Sequence, residues 1–213
     1  MTKYLPITKS TLLLALFAAC GSGLLLWVHQ TTKDRISANE EARLHAQLTE
    51  IIPTSRYNND LLSDTLSLTS DNLGSADPMT VFIARMDNRP VAAVFTVIAP
   101  DGYSGKIKLL VGINYDGTIA GVRAVTHKET PGLGDKIDIT RSDWILGFSQ
   151  RSRNNPPAEK WKVKKDGGEF DALTGATITP RAIVKAVYKT LTYFEQEKDT
   201  LFKSHIIAGQ QHE

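Results

Sequence analysis

Close to its C-terminal end the chain reads Asp171-Ala172-Leu173-Thr174-Gly175-Ala176-Thr177-Ile178-Thr179-Pro180. Its three threonines offer hydroxyl groups, and a phosphate could be carried on one of them. Thr179-Pro180 reads as a helix start, with Thr at the N-cap and Pro at the first helical position. Thr177 then lies two residues outside the cap, and a phosphate on its oxygen is close to the positive helix end and its N–H groups. Gly175 and Ala176 leave the backbone bare, so a bulky group or another enzyme can come close to Thr177. The same residues also suit an ordinary turn capped by a threonine, because Ser, Thr and Gly collect ahead of helices.

A second segment, Glu129-Thr130-Pro131-Gly132-Leu133-Gly134-Asp135-Lys136-Ile137, has the composition of a loop that can receive a planar heterocycle. Gly132 and Gly134 permit positive φ and close backbone approach. Free N–H groups of the loop can bind ring carbonyls and nitrogens, and Leu133 can cover a ring face. Lys136 can neutralise a phosphate or a reduced ring. A tight surface loop with no ligand fits these residues as well. Glu129, beside Lys128 and close to Lys136, reads as a solvated surface group rather than an acid catalyst.

Other classes of chemistry find little support. The single cysteine, Cys20, lies in an apolar N-terminal run, so the rest of the chain has no disulfide, thiolate metal site or thiol nucleophile. His29, His45, His127, His205 and His212 do not cluster, and no H-x-x-x-H, Walker A or G-x-S-x-G pattern occurs. Trp144 and Trp161 read as core residues. A net charge of +2 without a long basic run gives no footprint for nucleic acid. Neither catalytic residues for substrate chemistry nor metal ligands emerge.

The elements that must position these segments follow from patterning. Thr11 to Val28 carries no charge and is long enough for the ~30 Å hydrocarbon core of a bilayer. Its apolar run continues past Ala18 and Ala19, which favours an uncleaved anchor over a signal peptide or a lipoprotein at Cys20. Lys3 and Lys9 precede it and favour a cytoplasmic N-terminus, although Lys33 and Arg35 follow it. Residues 34 to 52 are rich in helix formers and should extend this helix to Pro53. Residues 54 to 79 read as a loop-rich lead-in. One hairpin is expected from Val81–Arg85 and Val91–Ile98, and another from Ile107–Asn114 and Ile119–Val125. A short helix over 143 to 150, a strand over Trp161–Lys164 and a long helix from Pro180 complete the pattern. Strands first and a long helix last give an α+β fold. The expected divisions are an N-terminus at 1–10, a transmembrane helix at 11–28 and a stalk with lead-in at 29–79. A ligand-binding domain at 80–199 and a tail at 200–213 follow.

D-A-L-T-G-A-T at 171–177 resembles the acceptor motif of the covalent FMN-binding domain family, D-x-x-(S/T)-G-A-(T/S). Gly102-Tyr103-Ser104-Gly105 and His127 through Gly134 are similar to the upstream half of that domain, so the resemblance covers roughly residues 80 to 195. It implies that a separate flavin transferase splits FAD and esterifies FMN to Thr177, with Asp171, Thr174, Gly175 and Ala176 as the matching motif positions. Thr130, Gly132, Leu133, Gly134 and Lys136 become the expected flavin contacts. With the single N-terminal span, the chain is similar to the flavin subunits of RNF (Rsx) ion-translocating electron transport complexes. The related subunits of sodium-pumping NADH:quinone reductases share the domain. This resemblance implies an electron-transfer subunit of a translocase with no substrate chemistry of its own. It also implies membrane partners carrying flavin and iron–sulfur centres, and a place in the bacterial inner membrane with the flavin domain on the periplasmic side. The rival expectations are an anchored assembly or binding subunit of the same fold without flavin, and a flavin enzyme acting alone.

Overall fold

In the computed structural model the described residues are 5–209. Lys3, the start of the expected N-terminus and the end of the expected tail lie outside them. The chain divides into two compact units, Met1–Ala46 and Gln47–Glu213.

Helix α1 spans Leu5–Ile51. Its side chains from Leu12 to Val28 are largely apolar, and Leu12, Phe17, Leu25 and Trp27 are all exposed. Apolar residues on every side of a helix, uncovered by protein, suit lipid surroundings rather than one core-facing stripe. It is the one described helix long and apolar enough to cross a membrane. The helix stops ahead of Pro53, which disfavours helical geometry in the residue before it. From Gln47 onward its residues belong to the second unit, where Leu48, Ile51 and Ile52 are buried.

The second unit is built on a five-stranded antiparallel sheet whose order is the chain order, β1 (Thr65–Ser70), β2 (Ser75–Met86), β3 (Arg89–Gly102), β4 (Gly105–Asn114) and β5 (Ile119–Thr126). Both expected hairpins form, with longer strands. Asp87 and Asn88 adopt positive φ between β2 and β3, as a tight two-residue hairpin turn requires. Strand β1 was not expected: its alternation of Leu66 and Leu68 with Thr and Ser reads as polar lead-in, yet it pairs with β2 at the sheet edge.

The central strands are buried on both faces. One face carries Val81, Ile83, Ala93, Phe95, Val97, Leu109, Val111 and Ile113, which share a core with Ile183, Val184, Val187, Leu191 and Phe194 of helix α2 (Ile178–Gly209). Residues that alternate with them, such as Val94 and Leu110, face the other way. There Ile51 fits over Gly112 and Gly121, and a Cβ at Gly112 would come within 2.2 Å of Ile51 Cγ2. Arg123 Nε donates to Glu50 Oε2 at 2.8 Å across the same contact.

Between β5 and α2 the chain runs through 3-10 turns, including Asp143–Phe148 where a short helix was expected. No strand forms over Trp161–Lys164. A single bridge joins Val163 to Phe170, while Trp161 clusters with Phe148, Phe170 and Tyr188. Helix α2 begins at Ile178, before the expected Pro180, and runs on through Gly209 with Leu201 and Phe202 buried.

Candidate functional site

The acceptor-like segment is held from both ends. Phe170 stacks on Phe148 with ring centroids 4.8 Å apart, and Leu173 is buried. Trp144 Nε1 donates to the Asp171 carbonyl at 2.7 Å. These anchors fix the chain as it surfaces. Leu173 to Ala176 then forms a turn closed by the Ala176 N–H on the Leu173 carbonyl at 3.0 Å, with Gly175 at φ 80°. Gly175 is thus required by the backbone. A Cβ there would also approach Leu133 Cδ2 to 2.8 Å.

Because α2 starts at Ile178, Thr177 directly precedes the helix instead of standing two residues outside a Thr179 cap. Thr179 lies within the first turn, fully buried, and its hydroxyl donates to Glu129 Oε2. The first N–H groups of an α-helix lack intrahelical acceptors, so the electropositive surface expected around Thr177 remains.

The loop after β5 meets this turn. A cavity of about 360 Å³ is lined by Glu129, Thr130, Leu133 and Gly134 from that loop, Gly175 to Thr179 from the start of α2, and Tyr103 from the β3–β4 turn. At its mouth Tyr103, Leu133 and Ile178 expose apolar surface, 66%, 41% and 45% of each residue. Thr130, Leu133, Gly134, Gly175, Ala176 and Thr177 are therefore brought together as expected. Asp171, Thr174, Gly132 and Lys136 do not line the cavity. Asp171 instead accepts from Lys164 Nζ at 2.6 Å, Gly132 turns the loop at φ 78°, and Lys136 sits in the 3-10 turn Gly134–Ile137.

Three expectations for the loop are corrected. The N–H groups of Leu133, Gly134 and Asp135 converge on the Thr130 carbonyl at 3.1, 3.0 and 3.4 Å, so they are not free for a ligand. Gly134 is needed for space rather than for positive φ, because a Cβ would lie 2.8 Å from Glu129 Oε2 and 3.1 Å from Thr179 Oγ1. Glu129 is the larger correction. It is only 5% exposed, not solvated, and its Oε1 accepts from the Ser104 N–H at 3.1 Å while Oε2 accepts from Thr179. One carboxylate thus ties together the β3–β4 turn, the post-β5 loop and the first turn of α2.

Two cations early in α2 are paired with aspartates outside the cavity lining. Lys185 of α2 donates to Asp101 at 2.6 Å, and that hydrogen bond holds the Asp101 carboxyl below the ordinary range. Arg181 does the same for Asp166, through bonds of 2.6 and 2.5 Å.

A family model for the FMN-binding domain matches residues 102–192, and one for the RnfG N-terminal region matches residues 1–51. The chain is 44% identical to the G subunit of the ion-translocating oxidoreductase complex of Vibrio atlanticus (strain LGP32), covering 95% of this chain and 97% of that one. The chain belongs to the RnfG family of ion-translocating oxidoreductase complex subunits. The corresponding G subunit of Pseudoalteromonas atlantica is 46% identical over 93% of both chains, and that of Shewanella oneidensis is 44% identical over 98% of this chain and 99% of its own. In this RnfG-family chain every residue that lines the cavity, from Tyr103 to Thr179, falls inside the FMN-binding match.

Sequence reasoning missed Tyr103, Glu129, Ile178 and Thr179 as parts of the site. Tyr103 belongs to the Gly102-Tyr103-Ser104-Gly105 motif, and Thr179 reads locally as a helix cap.

Proposed function

We propose that this chain is the membrane-anchored flavoprotein subunit of its complex, relaying electrons through FMN carried as a phosphodiester on Thr177. The observation that carries this reading is one cavity in which the Thr177 side of the acceptor-like turn faces the Leu133 loop, at the start of a helix. The residues fit the group. The exposed apolar surfaces of Tyr103, Leu133 and Ile178 suit the faces of a flavin ring, and the helix start suits the phosphate.

Attachment is the work of a separate transferase. The Thr177 hydroxyl oxygen attacks the FMN-side phosphorus of FAD and forms a new P–O bond. The pyrophosphate P–O bond breaks, AMP departs with the bridging oxygen, and the hydroxyl proton passes to solvent. FMN supplies the electron chemistry, and the chain supplies position, charge and shielding from water. The uncharged span from Thr11 to Val28 offers no ion path, so ion movement belongs to partner subunits or their interfaces. We place those partners, with flavin and iron–sulfur centres, in the inner membrane and the flavin domain on the periplasmic side.

Peptide mass spectrometry of chain co-expressed with a transferase tests the reading. Thr177→Ala should abolish covalent flavin and Thr177→Ser should keep some of it. An FMN increment mapped to Thr174 or Thr179 would refute the assignment. The absence of any increment would leave an anchored subunit without flavin.

A further inference from the structure

We propose that Glu129 is a potential-setting residue: its fixed negative charge in the cavity wall keeps the reduction potential of a cofactor on Thr177 lower than the same cavity would give without it. This inference rests on the reading of Thr177 as the FMN acceptor.

One Glu129 oxygen accepts from the Ser104 N–H and the other is hydrogen-bonded to the Thr179 hydroxyl, so both oxygens of a carboxylate are satisfied. Both donors are neutral. Among the described residues no Lys, Arg or His forms an ion pair with it, although Lys128 and Lys136 belong to the same loop. The first two cations of α2 are committed elsewhere, Arg181 to Asp166 and Lys185 to Asp101. A buried carboxylate without a counter-ion is expensive unless it is fully hydrogen-bonded, and its field is poorly screened. It lines the same cavity as Thr177, so any group tethered there takes up electrons beside a carboxylate that has no ion-pair partner among the described residues. Such a charge disfavours the more negative, reduced form. Gly134 preserves the arrangement, since any side chain there would press on Glu129 Oε2 and Thr179 Oγ1.

The test uses the full-length chain co-expressed with a transferase. Covalent FMN is counted by intact mass, and the midpoint potential is then measured by spectroelectrochemical titration at alkaline pH. Glu129→Gln removes the charge but preserves shape, because its carbonyl can accept from Ser104 and its amide can donate to Thr179. It should retain covalent FMN and favour one-electron reduction at least tenfold, a rise of ~59 mV. Thr179→Val removes a donor and leaves the carboxylate less compensated, so its potential should fall. Shifts of opposite sign separate the charge from disturbed packing, which would drive both variants alike. An unchanged potential in flavin-loaded Glu129→Gln, or shifts of the same sign, overturns the proposal. If Glu129→Gln does not fold, Thr179→Val decides alone, and a potential that rises or stays put rejects the role. A wild-type chain without covalent FMN is a different result: it refutes the Thr177 reading on which the inference stands.

Discussion

Gly175 is where backbone conformation and the site meet. Its φ of 80° is a region that L side chains enter at a cost of about 1–2 kcal/mol. The neighbouring Leu133 Cδ2 is the free end of a side chain and can yield, so strain, not collision, dominates. Gly175→Ala should therefore destabilise the chain by about 1–2 kcal/mol, lowering the midpoint of thermal unfolding by about 2–4 °C per kcal/mol. Covalent flavin should fall with it, because the turn that presents Thr177 is distorted. Unaltered melting and flavin content would mean that the turn tolerates another conformation. At this scale the sequence was informative about the acceptor turn and misleading about Glu129. A carboxylate flanked by Lys128 reads as surface, and nothing local announces that Ser104 and Thr179, far away in the chain, fold over it.

Among the elements, the end of α1 fits tightly against the sheet. Ile51 occupies the space that a side chain at Gly112 would claim and lies in van der Waals reach of Gly121. Gly112→Val should overpack this contact and cost about 1–3 kcal/mol. Adding Ile51→Ala should return part of that loss, a coupling that a double-mutant cycle on thermal unfolding would detect. Additive losses would show that the two residues do not share the space. The strands buried on one or both faces were legible because Val, Ile and Phe dominate them. Strand β1 was not, since an edge strand keeps polar residues on its open side. Trp161-Lys162-Val163 has strand-like residues, but its Trp is spent on an aromatic cluster with Phe148, Phe170 and Tyr188 instead of on a ladder. Helix α2 starts ahead of Thr179, whose hydroxyl serves Glu129 and does not cap the helix.

At the level of the whole molecule, the run from Thr11 to Val28 and its basic flank at Lys9 call for an anchor whose following domain faces the periplasm. On the proposed topology, protease added to intact spheroplasts should digest the domain that follows the anchor. Protection there, with digestion only in inverted vesicles, would reverse the topology, and a mature N-terminus near Cys20 would remove the anchor altogether. The order of the sheet adds a temporal consequence. Each strand pairs with its neighbour in sequence, so the sheet can close progressively as the chain is delivered from its N-terminal end. The latch between Glu129 and Thr179 spans 50 residues and waits for the last helix.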